Sequence, residues 1–539
     1  MDVIFLAVYT ADNKKNIEHL GLELLLTVME IHNISSEIKV VFTNQAFGSD
    51  EDIIALIPES THLLCITLDF NTLEYVDNLT QRIKSTYPFL HITSGGNFVS
   101  QFKKDILLSC KAIDSIMIGE SEATIVSLWN SLLWNCISEC KGLIYRDSDG
   151  SIIENAKRNL LEMNEIPVAK RTMLKPSQPS QYARIQSSRG CRGCCAFCTE
   201  HSMYGFYGSD KRWRGRTPSA VIEEIREIKR KFGISNFTFV DSSFEDSEEN
   251  TKDRLISFCH MLIEEKLNIF FVALMRAENF TKPDDGNCLS LLREAGLVEA
   301  FLGIESFSEK TLKLFNKRAT LKDNLNAIKM FQNYQINFNI GLIMFHPYTT
   351  LDEISMNVEY LHKYKQMHRY TILSNSLYLY KNTPLYIKVE EDRLLSNYSI
   401  SNPLGYQCQD SAVNNIRNAI EYTNEKLRET MSLIHQVEGN LLYLARLIAK
   451  VRKLYPDSDI SKSLCDTESN IIDLLSEKYT KLFRFILDNA DLITGKSYAK
   501  FFSSLLTPTF LEDLLICLRS TIKSFGKKAT KFGLDISIL

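Results

Sequence analysis

The chain has 539 residues, too many for one ordinary hydrophobic core, and that length implies two to four domains. A hydrophobic fraction of 45% and a charged fraction of 24% are those of a globular protein in water. The longest apolar runs fall well short of the roughly 20 residues that cross a bilayer, and a net charge of −4 lacks the basic excess of a phosphate-binding surface, so neither a membrane nor a nucleic-acid partner is expected.

The opening stretch, MDVIFLAVYTADNKKN, has no basic flank and no small-residue cleavage site. It reads as a first strand and not as a signal peptide, which points to a cytoplasmic protein. Strand-like runs follow at Val3–Tyr9, Ile38–Thr43, His62–Leu68, Leu90–Ser94 and Ser115–Ile118, with helical periodicity between them at Ile17–His32 and Leu73–Lys84. This alternation over residues 1–140 predicts an α/β domain with a doubly wound, Rossmann-like parallel sheet. Ligands of such sheets bind beyond the carboxyl ends of the strands, where the turns carrying Gly95 and Gly96, and Gly119 and Glu120, lie. Glycines there admit a ligand to the backbone, although ordinary turn glycines would look the same.

Residues 141–180 hold a hairpin around Asp147–Gly150 and a linker punctuated by Pro167, Pro176 and Pro179. A second alternating region spans 181–400, with strands expected at Ala183–Gln186, Asn236–Asp241, Ile269–Leu274, Glu299–Gly303, Phe338–Met344 and Ile372–Leu379. Long amphipathic helices lie between them, as at Ser219–Lys231 and Asp253–Glu264. Six βα units suit a partial (β/α)6 barrel with its functional groups at the C-terminal strand ends. Beyond residue 401 the strand signal fades, and Asn414–Leu454 and Glu468–Asp488 predict a helical C-terminal domain. The lysines Lys523, Lys527, Lys528 and Lys531 read as a solvated helix face.

Thirteen cysteines in a reducing compartment are not expected to form disulfides, and four of them fall within eight residues, in SSRGCRGCCAFCTEH at 187–201. Cys191, Cys195 and Cys198 follow the first barrel strand with C-x3-C-x2-C spacing, short enough for three thiolates to converge on a cluster. Three protein ligands would leave one iron open to chelate a small molecule. A zinc site with Cys194 or His201 as fourth ligand, or a plain electron-transfer cluster, is the alternative on the residues alone. Cys194 stands between ligand positions, where adjacent side chains diverge, and reads as a bystander.

This segment, with Phe197 just before the last cysteine, resembles the cluster loop of the radical S-adenosylmethionine (SAM) superfamily. That resemblance implies a [4Fe–4S] cluster on Cys191, Cys195 and Cys198, with SAM on the open iron. One electron from a donor such as flavodoxin or ferredoxin would release a 5′-deoxyadenosyl radical that abstracts a substrate hydrogen. KRWRGRTPSAVIEEI (211–225), FVDSSF (239–244), MRAENF (275–280), FLGIES (301–306) and NIGLIMFHPYTTLDEI (339–354) extend the likeness. They imply SAM contacts from Phe197, Asp241, Arg276, Gly303 and Glu305, with Gly303 leaving room for the ligand. The related pattern carries two acids where this chain has Asp241 followed by Ser242.

Residues 1–170 resemble the cobalamin (B12)-binding-type domain that precedes one radical SAM subgroup, through HLGLELL (19–25), SGGNF (94–98), IGESEATIVSLWNSL (118–132) and IYRDSDG (144–150). The implied cobalamin-like site uses Gly95, Gly96, Gly119 and Glu120. The Asp-x-His-x-x-Gly that carries a lower-ligand histidine is replaced by residues 10–14, and His19 reads as a helix-surface residue, which leaves cobalamin as an open second cofactor. Three functions follow. The first is hydrogen abstraction from a peptide or natural-product precursor, on the pattern of peptide epimerases, with Cys408 in NPLGYQCQD as the returning thiol or a buried structural one. The second is cobalamin-dependent C-methylation, and the third a non-catalytic iron–sulfur role.

Overall fold

The computed structural model describes residues 1–10, 18–43, 49–176, 182–200, 212–247, 251–455 and 460–531. The N-terminal part contains β1 (Val3–Tyr9), α1 (Leu20–Ile31), β2 (Ser36–Phe42), α2 (Asp50–Ile54), β3 (Leu63–Thr67), α3 (Leu73–Thr86), β4 (His91–Gly95), α4 (Asn97–Phe102), α5 (Lys104–Ser109), β5 (Ser115–Met117), α6 (Glu122–Trp134), β6 (Leu143–Arg146) and β7 (Ile152–Glu154). Its seven strands run in the order β2-β1-β3-β4-β5-β6-β7, the first five parallel. The expected hairpin is β6–β7, joined antiparallel to β5, so it extends the sheet and does not stand apart from it.

Alternation along β1 explains the doubly wound form. Val3, Phe5 and Ala7 pack with Leu22, Leu26 and Leu128 of α1 and α6, while Ile4, Leu6 and Val8 pack with Val76, Leu79 and Ile106 of α3 and α5. Both faces are therefore covered by helices, as an all-parallel core requires.

The barrel begins with β8 (Tyr182–Ile185), then the short antiparallel pair β9 (Ser188–Gly190) and β10 (Trp213–Gly215). It continues through α7 (Pro218–Phe232), β11 (Asn236–Phe239), α8 (Asp253–Glu264), β12 (Phe270–Arg276), α9 (Asp285–Ala295), β13 (Leu297–Glu305), α10 (Glu309–Leu314), α11 (Leu321–Asn333), β14 (Phe338–Leu342) and α12 (Leu351–Lys363). Local signals set these helices. Thr217 caps α7 by accepting from the Ala220 N–H, Pro218 occupies its first turn, Lys229 to Lys231 its last, and Gly233 ends it at φ 70°.

The barrel sheet has five parallel strands in the order β14-β13-β12-β11-β8, one fewer than the spacing predicts. The expected sixth strand starts as a helical turn, α13 (Tyr370–Leu373), because Glu438 accepts from the Tyr370 N–H and so caps it. Only the bridge between Phe345 and Ser376 is left of that strand. The helical region follows as α14 (Pro384–Glu391), α15 (Ser411–Lys426), α16 (Arg428–Leu454), α17 (Ile460–Asp488), α18 (Gly495–Leu505) and α19 (Pro508–Lys531). Its buried residues form one continuous core with the barrel. Among the described residues no single helix is long and apolar enough to cross a membrane.

Three sets of contacts join the N-terminal sheet to the barrel. Arg171, in the connector, is 3% exposed and pairs with Glu18 at 2.7 Å and with Glu224 of α7, both equally buried. Glu18 also accepts from the Arg184 N–H at 2.7 Å, and Arg216 pairs with Glu224. Glu120 and Glu122 pair with Arg189, and Glu120 also with Arg214. Lys381 pairs with Asp105, and Asn382 donates to the Gln101 carbonyl at 3.3 Å.

Two outcomes are expected. Arg171→Ala leaves two buried carboxylates without their shared cation and should cost about 3–5 kcal/mol in urea unfolding, whereas an unchanged midpoint would mean that the network carries no stability. Lys450, on α16 and 3% exposed, lies 5.1 Å from the Phe270 ring centre, and burial, with Arg446 nearby, lowers its pKa to about 7. The unfolded chain keeps that proton to higher pH, so stability should rise from pH 7 towards 10. Lys450→Met should flatten this rise and stabilise the protein at pH 7 by about 1–4 kcal/mol, which thermal unfolding across pH measures.

Candidate active site

Residues 191–198 form a loop at the carboxyl end of β8, fastened on several sides. The Cys191 N–H donates to Arg212 O at 3.0 Å, that of Ala196 to Phe315 O at 2.7 Å and that of Leu385 to Ala196 O at 2.9 Å. Asn316 Nδ2 donates to Cys194 O at 2.9 Å. The Phe197 ring packs edge-on against Phe315, its centre 5.0 Å away, so its visible role is to seat the loop.

A Cβ on Gly193 would stand 3.2 Å from Cys191 Sγ and 3.8 Å from Cys195 Sγ, so both sulfurs close over this residue and glycine admits them. Cys198 continues the same turn, its N–H donating to Cys195 O at 3.1 Å. Cys194 is turned against Arg212 and Arg318, Arg318 donating to its sulfur at 3.6 Å. Cys191 and Cys195 thus gather their sulfurs at Gly193 and Cys194 turns away to the arginines, while among the described residues no three metal-ligating side chains come together as a ready-made metal site.

The strand ends surround these sulfurs with charge. Arg276, closing β12, pairs with Glu278 at 2.6 Å and Asp246 at 3.4 Å. Lys317 Nζ lies 3.7 Å from Glu305 and 3.8 Å from Glu278. Burial opposes the Lys317 charge, but Glu305 and Glu278 outweigh it and hold its pKa above the ordinary value. Burial pushes the Cys191 and Cys198 thiols up to about 12 and also raises Cys195; Arg276 and Lys317 act the other way on Cys191 and Cys195. Three sulfurs on one short loop with two cations beside them fit an iron–sulfur cluster, whose thiolates need that compensation.

Two expectations shift. Gly303 leaves room for an ion pair of the protein itself: a Cβ there would sit 2.9 Å from Glu305 Oε1 and 3.1 Å from Lys317 Nζ. Glu305 reaches that position through a bulge between Gly303 and itself, at φ 64°. Asp241 is 1% exposed and accepts from the Ser187 N–H at 2.8 Å and from its hydroxyl, which makes it an anchor of the segment leading into the cysteine loop.

The second acid missing at Ser242 is replaced nearby. Glu245 accepts from the Arg276 N–H at 2.8 Å, and Asp246 accepts from the Arg192 N–H at 2.9 Å, placing FEDS (244–247) where the motif pair was sought. Burial, then Asp246, raises Glu245 to about 7. The acids in FEDS were the available signal; Lys317 had none, since it joins the site from a loop after α10.

A cavity of about 650 Å3 lies between the sheet and the barrel. Gly95, Gly96, Gly119 and Glu120 line one side, and Arg184, Ser188, Gly190 and Glu200 line the other. Gly96, at φ 100°, has open space where a side chain would project. Glu120 belongs to the cavity wall but is tied to Arg189 and Arg214, so it joins the domains there.

His19 is not on a helix surface. It caps α1, its Nδ1 accepting from the Leu22 N–H at 3.2 Å, and burial lowers its pKa to about 4. Residues 11–14, where a lower-ligand motif was sought, lie outside the described residues. Glu200, which no motif marked, is hydrogen-bonded to Ser242, and burial raises its pKa. Cys408 is 4% exposed, donates to His346 O at 3.4 Å and does not line this cavity.

A cysteine loop thus stands at the carboxyl end of a parallel partial barrel and faces a doubly wound sheet across the cavity. Residues 185–361 match the radical SAM superfamily, whose members use a [4Fe–4S] cluster and SAM. The anaerobic magnesium-protoporphyrin IX monomethyl ester cyclase of Synechocystis sp. is 29% identical over 266 residues, 48% of this chain and 51% of that protein. An uncharacterized methyltransferase of Pyrococcus horikoshii is 25% identical over 280 residues, 50% of this chain and 58% of that one. The matched segments span only about half the length of these relatives.

Among solved structures, the cobalamin-dependent SAM radical enzyme OxsB, with aqua-cobalamin and SAM bound, superposes with a TM-score of 0.67 at 17% identity, over 96% of this chain and 84% of that one. The radical SAM methyltransferase TsrM from Kitasatospora setae superposes with a TM-score of 0.56 at 15% identity, over 72% and 76%. The fold of this chain is therefore that of radical SAM enzymes with a B12-binding-type domain.

Cys191→Ala, Cys195→Ala and Cys198→Ala should each abolish iron retention and visible absorption after anaerobic reconstitution, while Cys194→Ala retains both. Equal loss in the Cys194 variant would show a different ligand set.

Proposed function

We propose that this chain is a cobalamin-dependent radical SAM enzyme that transfers a methyl group to an unactivated carbon of a peptide or small natural-product precursor. The observation that carries the reading is the cavity joining Gly95, Gly96 and Gly119 to Ser188, Gly190 and Glu200 beside the cysteine loop. It is large enough to hold much of a cofactor, and Gly190 and Glu200 of its lining flank the cysteine loop. The fold shared with OxsB and TsrM supports the same arrangement.

When bound, SAM on the cluster supplies hydrogen abstraction and a corrinoid supplies a methyl group. Cys191, Cys195 and Cys198 would hold the cluster, and Arg276 and Lys317 would balance its thiolates. Glu305 would bind SAM after exchanging its contact with Lys317, and Phe197 would keep the loop seated. Gly95, Gly96 and Gly119 would let the corrinoid lie close to the backbone. Glu200, facing the cavity, would accept a hydrogen bond from a substrate hydroxyl or amine. A flavodoxin- or ferredoxin-type donor would supply electrons. The epimerase reading finds no support in the position of Cys408, whose thiol is committed to His346 O outside the cavity.

Protein reconstituted with iron, sulfide and hydroxocobalamin should keep a corrinoid band through gel filtration. With SAM, reductant and substrate it should form both S-adenosylhomocysteine and 5′-deoxyadenosine. Formation of 5′-deoxyadenosine with no retained corrinoid would overturn the methyl-transfer reading and leave the radical SAM chemistry intact.

A further inference from the structure

One wall of the cavity carries a guanidinium with no ion pair of its own among the described residues. Along β8, Ala183 and Ile185 enter the hydrophobic core, while Arg184 between them faces the cavity. No described carboxylate lies within ion-pairing distance of its guanidinium. Glu18, the acid of this neighbourhood, is already committed: Oε1 to Arg171 and Oε2 to the backbone N–H of Arg184 itself. Glu224 is likewise shared between Arg171 and Arg216, and Glu23 accepts from Thr172 and Met173 of the connector.

Two polar side chains of the opposite domain share this wall. Tyr9, at the end of β1, and His19, capping α1, both line the cavity and both stand within the field of Arg184. Because His19 Nδ1 accepts from the Leu22 N–H, its remaining proton sits on Nε2, which leaves that nitrogen a donor and unsuited to bind a metal. The wall thus combines a fixed cation with an imidazole N–H, one from each domain.

Among the described residues, Glu200 and Asp69 line the cavity without an ion pair, Glu200 at its other end. Arg184 pairs in register with Thr238, and Ser242, which holds Glu200, comes four residues further along, towards the cysteine loop. Glu120 and Glu122 are neutralised by Arg189 and Arg214. Within the cavity, the Arg184 guanidinium and the Glu200 carboxylate thus lie at different ends.

We propose that Arg184, with His19 as neighbouring donor, is the binding point for an anionic group, a phosphate ester or carboxylate, of a molecule lying in this cavity. The planar fork of a guanidinium suits such a group in two-pronged contact. Two molecules could bring it: a corrinoid, through the phosphodiester of its nucleotide tail, or a substrate carrying phosphate or carboxylate. The first source rests on the cofactor reading above, and the second does not.

Full-length protein and its Arg184→Gln and Arg184→Lys variants should be titrated with hydroxocobalamin, with cobinamide, which has the corrin ring but no nucleotide tail, and with inorganic phosphate. Corrinoid absorbance and thermal unfolding supply readouts independent of turnover. If the tail supplies the anion, Arg184→Gln should bind cobalamin about tenfold or more weakly, with cobinamide unchanged and Arg184→Lys partly restored. If the substrate supplies it, cobalamin binding should be equal in all three proteins, and phosphate should raise the unfolding temperature of the wild type but not of Arg184→Gln. Identical behaviour of Arg184→Gln and wild type with every probe would overturn the proposal. A wild type that binds neither corrinoid would defeat the cofactor reading instead, and the phosphate titration alone would then decide the role of Arg184.

Discussion

The buried Arg171 guanidinium is the constraint on which the site depends. It belongs to the connector, yet it is held on one side by Glu18 of the N-terminal domain and on the other by Glu224 of the barrel. Charges taken out of water tolerate little displacement, because each must keep its partners to offset the cost of desolvation. The relative placement of sheet and barrel is therefore set at one point, and the Arg189–Glu120 and Lys381–Asp105 contacts set it at two others. The cavity exists because these contacts hold two carboxyl-end faces opposite each other with space between them.

The same accounting of charge orders the rest of the site. Around the sulfurs, Arg276 and Lys317 each serve more than one carboxylate, and Glu245 and Asp246 each accept from a backbone N–H. Such a set holds more carboxylates than cations and can exchange partners when a charged group arrives. Glu305 illustrates the point. Its backbone is held at φ 64° by the bulge in β13, and its side-chain partner, Lys317, is a flexible amine at the ion-pair limit. Arg184 differs, since its neighbours are already engaged.

Much of the fold was legible because its signals are local. Alternating apolar runs located β1 to β5, and the cysteine spacing located the loop that the structure shows closing over Gly193. Expectations went astray where a distant partner decided the outcome. The predicted sixth strand became a helical turn because Glu438, 68 residues away, caps it. Gly303 was read as making room for a ligand, but the side chain it admits is Glu305 with Lys317, a residue that no motif marked. His19 reads from periodicity as a helix-surface residue, whereas it caps α1 and lines the cavity.

By itself, then, the sequence determined the alternation of strands and helices in its first two regions and the loop that carries Cys191, Cys195 and Cys198. These rest on periodicity and on spacing within a few residues, which the chain carries locally. Only the tertiary structure decided that Asp241 anchors Ser187, that Glu245 and Asp246 stand where a second acid was sought, and that Cys408 faces His346 and not the cavity. It alone brought Arg184 and His19 together, since their meeting depends on how two domains pack, and buried charge pairs between residues up to 153 positions apart fix that packing.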